Sequence, residues 1–230
     1  MKKTLAATAA IALAAVGFAT PAAAYDRDAY GYAAEHMIGY KDIPASLNAK
    51  KGAVFNALPG SSNYVCGDSE KTVQFPGGEH DFFIAYNGKR GTDGVNVMVS
   101  QYASSKKAIA AFEKLKTALE RCEGPKSGQE NYGTDDDPQI DTWSRLTTTG
   151  VVPLVTVAGV ESVFINDNYE DVTSGTASDR YTSDTYNVYT LVNDVIINTS
   201  RSTGSELNMP TKERRAVNQV AFNAVTRWVD

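Results

Sequence analysis

Hydrophobic and polar positions alternate most cleanly between Val95 and Tyr102, where Val95, Val97 and Val99 fall on one side and Asn96, Met98, Ser100 and Tyr102 on the other. A period of two marks a half-buried strand. Ser104 and Ser105 follow, and Ile109, Phe112, Leu115 and Leu119 then recur at helical spacing up to Cys122, ahead of a Gly124-Pro125 stop. The serines supply a capping oxygen, so the pattern predicts a strand leading directly into an amphipathic helix. Tyr186 to Val192 and Val195 to Arg201 flank Asn193-Asp194, which predicts a hairpin with a two-residue turn. The turn also sets the register. Val192 opposes Val195, Thr190 opposes Ile197, Val188 opposes Thr199 and Tyr186 opposes Arg201 on the more apolar surface, while Leu191 with Ile196, Tyr189 with Asn198 and Asn187 with Ser200 share the other. A last helix entered at Pro210-Thr211 carries Val217, Val220, Ala221, Ala224, Val225 and Trp228 on one stripe, which needs a sheet face to cover.

Elsewhere the pattern is coarser. A short helical repeat runs from Asp28 to Ile38, and regular structure is expected to begin in earnest at Phe82 to Tyr86. Leu154 to Ile165 is apolar at nearly every position, as in a central strand, with a bend expected at Gly159. The polar stretches Glu123 to Asp141 and Asn166 to Asp184 read as connections. The expected fold class is α+β, an antiparallel twisted sheet with two main amphipathic helices packed on one face.

Composition is that of an ordinary globular chain, with 42% apolar and 21% charged residues. The first 24 residues stand apart: Lys2 and Lys3, an apolar run from Leu5 to Phe18, then Ala22-Ala23-Ala24. This is the pattern of a cleaved export signal, and the run is short for a membrane anchor. A mature single domain of residues 25–230 is expected, secreted and extracellular. Tyr25 stands where a lipoprotein needs Cys, so no lipid anchor and no membrane insertion after cleavage are expected. Loss of the two lysines makes a formal charge of −5 more negative still, which argues against nucleic acid as a partner. Outside the cytosol the two cysteines, Cys66 and Cys122, are most simply one disulfide, and neither sits in a nucleophile motif.

No Gly-x-Ser-x-Gly elbow, phosphate-binding loop, His-Glu-x-x-His helix or dinucleotide fingerprint is present. His36 and His80 have no nucleophile at motif spacing. Asp135, Asp136, Asp137 and Asp141, or Asp167, Glu170 and Asp171, offer oxygen ligands for a hard cation, but neither set has the spacing of a calcium loop, and solvated acidic loops are the simpler reading. No catalytic residue, metal or cofactor is therefore assigned. The more informative feature is the mixed face of the sheet. Met98, Tyr102, Tyr189 and Asn198 form there a candidate ligand-binding set, apolar rings beside amides, with the tyrosine-rich N-terminal segment as the alternative occupant of the same face.

Val95-Asn96-Val97-Met98-Val99-Ser100-Gln101-Tyr102-Ala103-Ser104-Ser105, followed by Ala108, Ala111, Phe112 and Cys122-Glu123-Gly124, resembles the strand, small-residue turn and Cys-terminated helix of the PknH-like extracellular sensor domain family of actinobacteria. Tyr189 to Ile197 is similar to that family's late hairpin, and the closing helix to Trp228 also fits, so the resemblance runs from about Ile43 to Asp230. It implies an α+β, non-enzymatic sensor-like domain with a cleft for an unknown ligand, whether a small molecule, a cell-wall fragment or a protein. Members borne on kinases carry a kinase segment that this sequence lacks. The competing function class is a secreted hydrolase built from scattered Asp, Glu and Ser residues.

Overall fold

The computed structural model describes residues 29–51, 54–58, 63–65, 73–75, 78–88, 94–131, 134, 139–152, 160–174, 179–203 and 208–229. The 1–24 segment, Cys66, Asp135 to Asp137 and the apolar run from Leu154 to Gly159 lie outside these described residues.

A short helix α1 (Ala29–His36) and two 3-10 turns (Tyr40–Asp42 and Ala45–Leu47) lead into strands β1 (Val54–Leu58), β2 (Asn63–Val65), β3 (Val73–Phe75), β4 (His80–Asn87) and β5 (Gly94–Gln101). Helix α2 (Ser105–Cys122) follows, then β6 (Gly124–Asn131), β7 (Ile140–Val151), β8 (Glu161–Ser174), β9 (Asp179–Val192), β10 (Val195–Thr203) and α3 (Thr211–Trp228). Eight strands form one antiparallel sheet in the order β1-β4-β5-β10-β9-β8-β7-β6, and β2 pairs with β3 in a separate hairpin against α2.

The hairpin β9-β10 has the register its turn dictates, with Val192 opposite Val195, Thr190 opposite Ile197 and Tyr186 opposite Arg201. Asn193 takes the left-handed conformation at the turn, φ 51°. Ser104 caps α2, its side chain accepting from the Lys107 amide.

The α+β class and the antiparallel sheet stand, but the two long helices do not share a face. Val95, Val97, Val99, Val188 and Ile197 pack with α3, whose Val217, Val220, Ala221, Ala224, Val225 and Trp228 are all buried. Tyr189, Leu191 and Ile196, one residue out of phase with them, pack with Val163 and Ile165 beneath Ala108, Phe112, Leu115 and Leu119 of α2. Both faces of β9 and β10 carry enough apolar area to need a cover. A single layer of helices would leave Leu191 and Ile196 in water, at a cost of about 1.5–3 kcal/mol for each such side chain.

Three further corrections concern local pattern. Ile109 is 49% exposed, because the buried stripe of α2 runs through Ala108, Ala111, Phe112, Leu115 and Ala118, about one position away. The polar tracts are strands: β6 occupies Gly124–Asn131, and β8 and β9 continue to Ser174 and from Asp179. Strands also start earlier than Phe82, in β1 to β3, whereas α1 falls within the short helical repeat expected from Asp28 to Ile38.

Candidate binding cleft

The four residues expected to form a contact surface lie on the sheet face that α2 takes. Tyr189, Asn198 and Met98 occupy one cross-strand row, since Asn198 pairs with Tyr189 on one side and Met98 on the other. Tyr189 is 4% and Tyr102 6% exposed, both within the α2 core. Burial raises both phenols above their ordinary pKa, and the nearby Asp81 charge adds to the rise at Tyr102. Tyr102 and Tyr189 are thus packed under the helix as core, while Met98 and Asn198 in the same row are half-buried and Tyr102 also borders a small pocket with Gly78 and Lys107 beside α2. The N-terminal segment does not cover it either; α1 packs on α3, at the opposite face.

The acidic sets fare similarly. Asp167 and Glu170 are three apart on β8 and so point to opposite faces. Asp167 is engaged by Arg145 at 3.2 Å and by the Thr147 hydroxyl at 3.0 Å. Among the described residues no three His, Cys, Asp or Glu side chains converge as a metal site.

A concavity of about 580 Å³ opens instead on the α3 side of the sheet, where β6, β7 and β8 run on past the start of α3. Its lining includes Pro125, Ser127, Ser144, Leu146, Asn168, Glu170 and Asn208. Cross-strand pairing explains the set. Pro125 opposes Leu146 and Ser127 opposes Ser144, while Leu146 opposes Asn168 and Ser144 opposes Glu170, so two rows of the ladder form the floor. Lys126 and Arg145 also border the cleft, from positions one residue out of phase with that floor.

Asp184 fixes the neighbouring wall. It is fully buried on β9, accepts the Met209 backbone N–H and lies 3.5 Å from the Arg214 guanidinium. With its amide nitrogen turned toward Asp184, Asn168 donates to both carboxylate oxygens at 3.0 and 3.1 Å. One buried carboxylate thus holds the segment carrying Asn208, the first turns of α3 and a floor residue of the cleft. Burial raises its pKa, against the opposing pull of the Met209 N–H and Arg214. A raised carboxyl pKa favours the folded state below the unfolded value of about 3.9, and that contribution is lost as pH rises through the folded value. The stability of Asp184→Asn relative to the parent should therefore climb as pH rises from about 4 through the folded pKa of Asp184. Urea midpoints measured across that range check the slope, and a flat or falling difference would contradict it.

Pro125, Ser127, Asn168 and Glu170 of the cleft come from tracts read as connections, and the overlooked signal lay in the composition of this part of the chain. Tyr169, Val172, Thr173, Tyr181, Thr182 and Thr185 are strand formers that do not alternate because both faces are partly polar.

No family model matches the chain, and no curated protein matches it. Among solved structures the chain is similar to the extracellular domain of PknH from Mycobacterium tuberculosis, with 13% sequence identity over 84% of this chain and 92% of that chain and a TM-score of 0.46.

Proposed function

We propose that the chain is an exported, non-enzymatic binding domain whose ligand sits in the cleft between Pro125, Ser144, Asn168 and Asn208. The observation that carries this reading is the cleft itself, a concavity of about 580 Å³ whose floor joins two hydroxyls, an amide and one carboxylate to the apolar Pro125 and Leu146. Such a mixture suits a small, overall neutral ligand, with the polar groups fixing orientation and Pro125 and Leu146 supplying apolar contact, while Lys126 and Arg145 at the border offset Glu170. Placement beside the PknH-like sensor family rests on the sequence stretches Val95 to Ser105 and Tyr189 to Ile197.

Export rests on the Lys2 to Ala24 pattern. No helix among the described residues is long and apolar enough to cross a membrane. The proposed bridge joins Cys66 to Cys122: Cys122 is buried at the end of α2, no described cysteine is free, and β2, which ends one residue before Cys66, packs against α2. Mass mapping of non-reduced peptides tests it, and two free thiols would reject it.

The binding test is a thermal-shift screen of residues 25–230 with neutral metabolites, and with small amines and amino-acid amides as the cationic comparison. A ligand at 100 times its dissociation constant stabilises the native state by roughly 2.7 kcal/mol. Ser144→Trp fills the cleft from a solvent-facing strand position, and it should abolish the shift caused by any hit. A shift that persists in this variant places the ligand elsewhere.

A further inference from the structure

The opposite surface of the same strands carries a second feature. Helix α2 ends at Cys122 and the chain turns into β6 at Gly124, whose partner is Thr147, so the rows beyond Thr147 lie past the end of the helix. Trp143, Tyr169 and Tyr181 stand there on three neighbouring strands, β7, β8 and β9. Tyr181 is 54% exposed, on the part of β9 that runs past its last pair with β10, Thr203 opposite Asp184, and is flanked by β8 alone. The ring centroids of Tyr169 and Tyr181 are 6.3 Å apart with planes inclined at 57°. Trp143 lies flat across Gly128 on β6: a methyl group placed at Gly128 would meet the indole at 2.6 to 2.8 Å, so only glycine lets the ring rest there. Arg145 lies 5.4 Å from the centre of the Tyr169 ring, held by its ion pair with Asp167.

We propose that this aromatic face binds a neutral saccharide chain. The C–H groups on the flat side of a pyranose carry slight positive charge and meet the negative face of an aromatic ring favourably, while guanidinium and carboxylate groups beside the rings take the hydroxyls. Charge gives an anionic chain no advantage: Asp167 compensates Arg145 at 3.2 Å, and Lys126, opposite Arg145 in register, is balanced by Asp171, which stands in register between Trp143 and Tyr181. Ring geometry favours a chain over a flat ligand. One planar ring cannot lie parallel to two tyrosines inclined at 57°, whereas successive sugars of a twisted chain present their faces at changing angles. This proposal does not depend on the cleft, which lies across the sheet.

The experiment is affinity electrophoresis of residues 25–230 in native gels cast with hydroxyethylcellulose, a neutral galactan or a mannan, with bovine serum albumin as the unretarded reference. The parent protein should be retarded by at least one of them. Tyr181→Ala should weaken binding by about tenfold, since one aromatic contact is worth up to roughly 1.5 kcal/mol and 1.4 kcal/mol is a factor of ten. Tyr181→Phe keeps the ring and should keep binding within about threefold. Tyr181 is exposed enough for both variants to fold, which matched circular dichroism and melting temperature would verify. Absence of retardation in all three gels, equal retardation of Tyr181→Ala, or a parent dimer in sedimentation that Tyr181→Ala dissolves without any saccharide effect would each overturn the proposal.

Discussion

Arg201→Ala should destabilise the fold by about 3–5 kcal/mol, the usual cost of removing one partner from a buried ion pair. Arg201 is 2% exposed in the middle of the α3 core. Its Nε donates to Glu213 Oε2 at 2.7 Å, and its Nη1 donates to the Leu47 carbonyl at 3.2 Å. One side chain thereby ties β10 to the first turn of α3 and to the 3-10 turn that ends at Leu47. Truncation leaves the Glu213 carboxylate and the Leu47 carbonyl without their donor in a region largely closed to water, and opens a void the size of the guanidinium stem. Arg201→Lys should recover little, because a single ammonium does not present two donors along both directions of the planar fork. Urea unfolding gives the loss, and a double-mutant cycle with Glu213→Gln separates the pair from packing. A loss below about 1 kcal/mol for Arg201→Ala would show that the pair is dispensable.

Trp228→Ala should cost about 3–5 kcal/mol, as large-to-small changes at packed aromatic positions do. The indole is 6% exposed at the last residue of α3. Tyr32 meets it edge-on with centroids 5.6 Å apart, His36 lies at the same separation, and Tyr32 and His36 stack on each other at 3.8 Å. Helix α1 is short and is held by this cluster together with buried Ala33 and the Met37-Ile38 segment that follows it. An isolated helix of eight residues is not stable in water, so loss of the indole should release α1 before the sheet fails. Hydrogen exchange should therefore rise in residues 29–36 of Trp228→Ala under conditions where β5 and β10 remain protected. Uniform protection with an unchanged melting temperature would mean that the end of α3 does not anchor α1.

The aromatic face and the cleft bear differently on how much the sequence discloses. Trp143, Tyr169 and Tyr181 are spread over 39 positions of the chain, and no local pattern connects them. Their meeting follows from the register of β7, β8 and β9, in which Trp143 opposes Asp171 and Asp171 opposes Tyr181. The cleft likewise needs β6 beside β7 and the loop before α3 folded back by Asp184.

What the sequence determined by itself is whatever depends on the near neighbours of a residue. The period of two from Val95 to Val99, the Ser104 cap, the buried stripe of α3 and the hairpin register around Asn193-Asp194 all follow from backbone geometry within a few residues, and the structure carries each of them. The tertiary structure alone decided which face α2 would take. Both faces of β9 and β10 are apolar enough to be covered, so the stripe on α2 fits either one, and the choice rests on the path from Gln101 across the sheet to β6. It also decided that the polar tracts are strands: strands with polar residues on both faces lose the alternation that identifies them, and their hydrogen bonds come from partners distant in the chain. Burial of Tyr102 and Tyr189 follows from the same choice, because a position in the register fixes a side of the sheet but not what lies upon it.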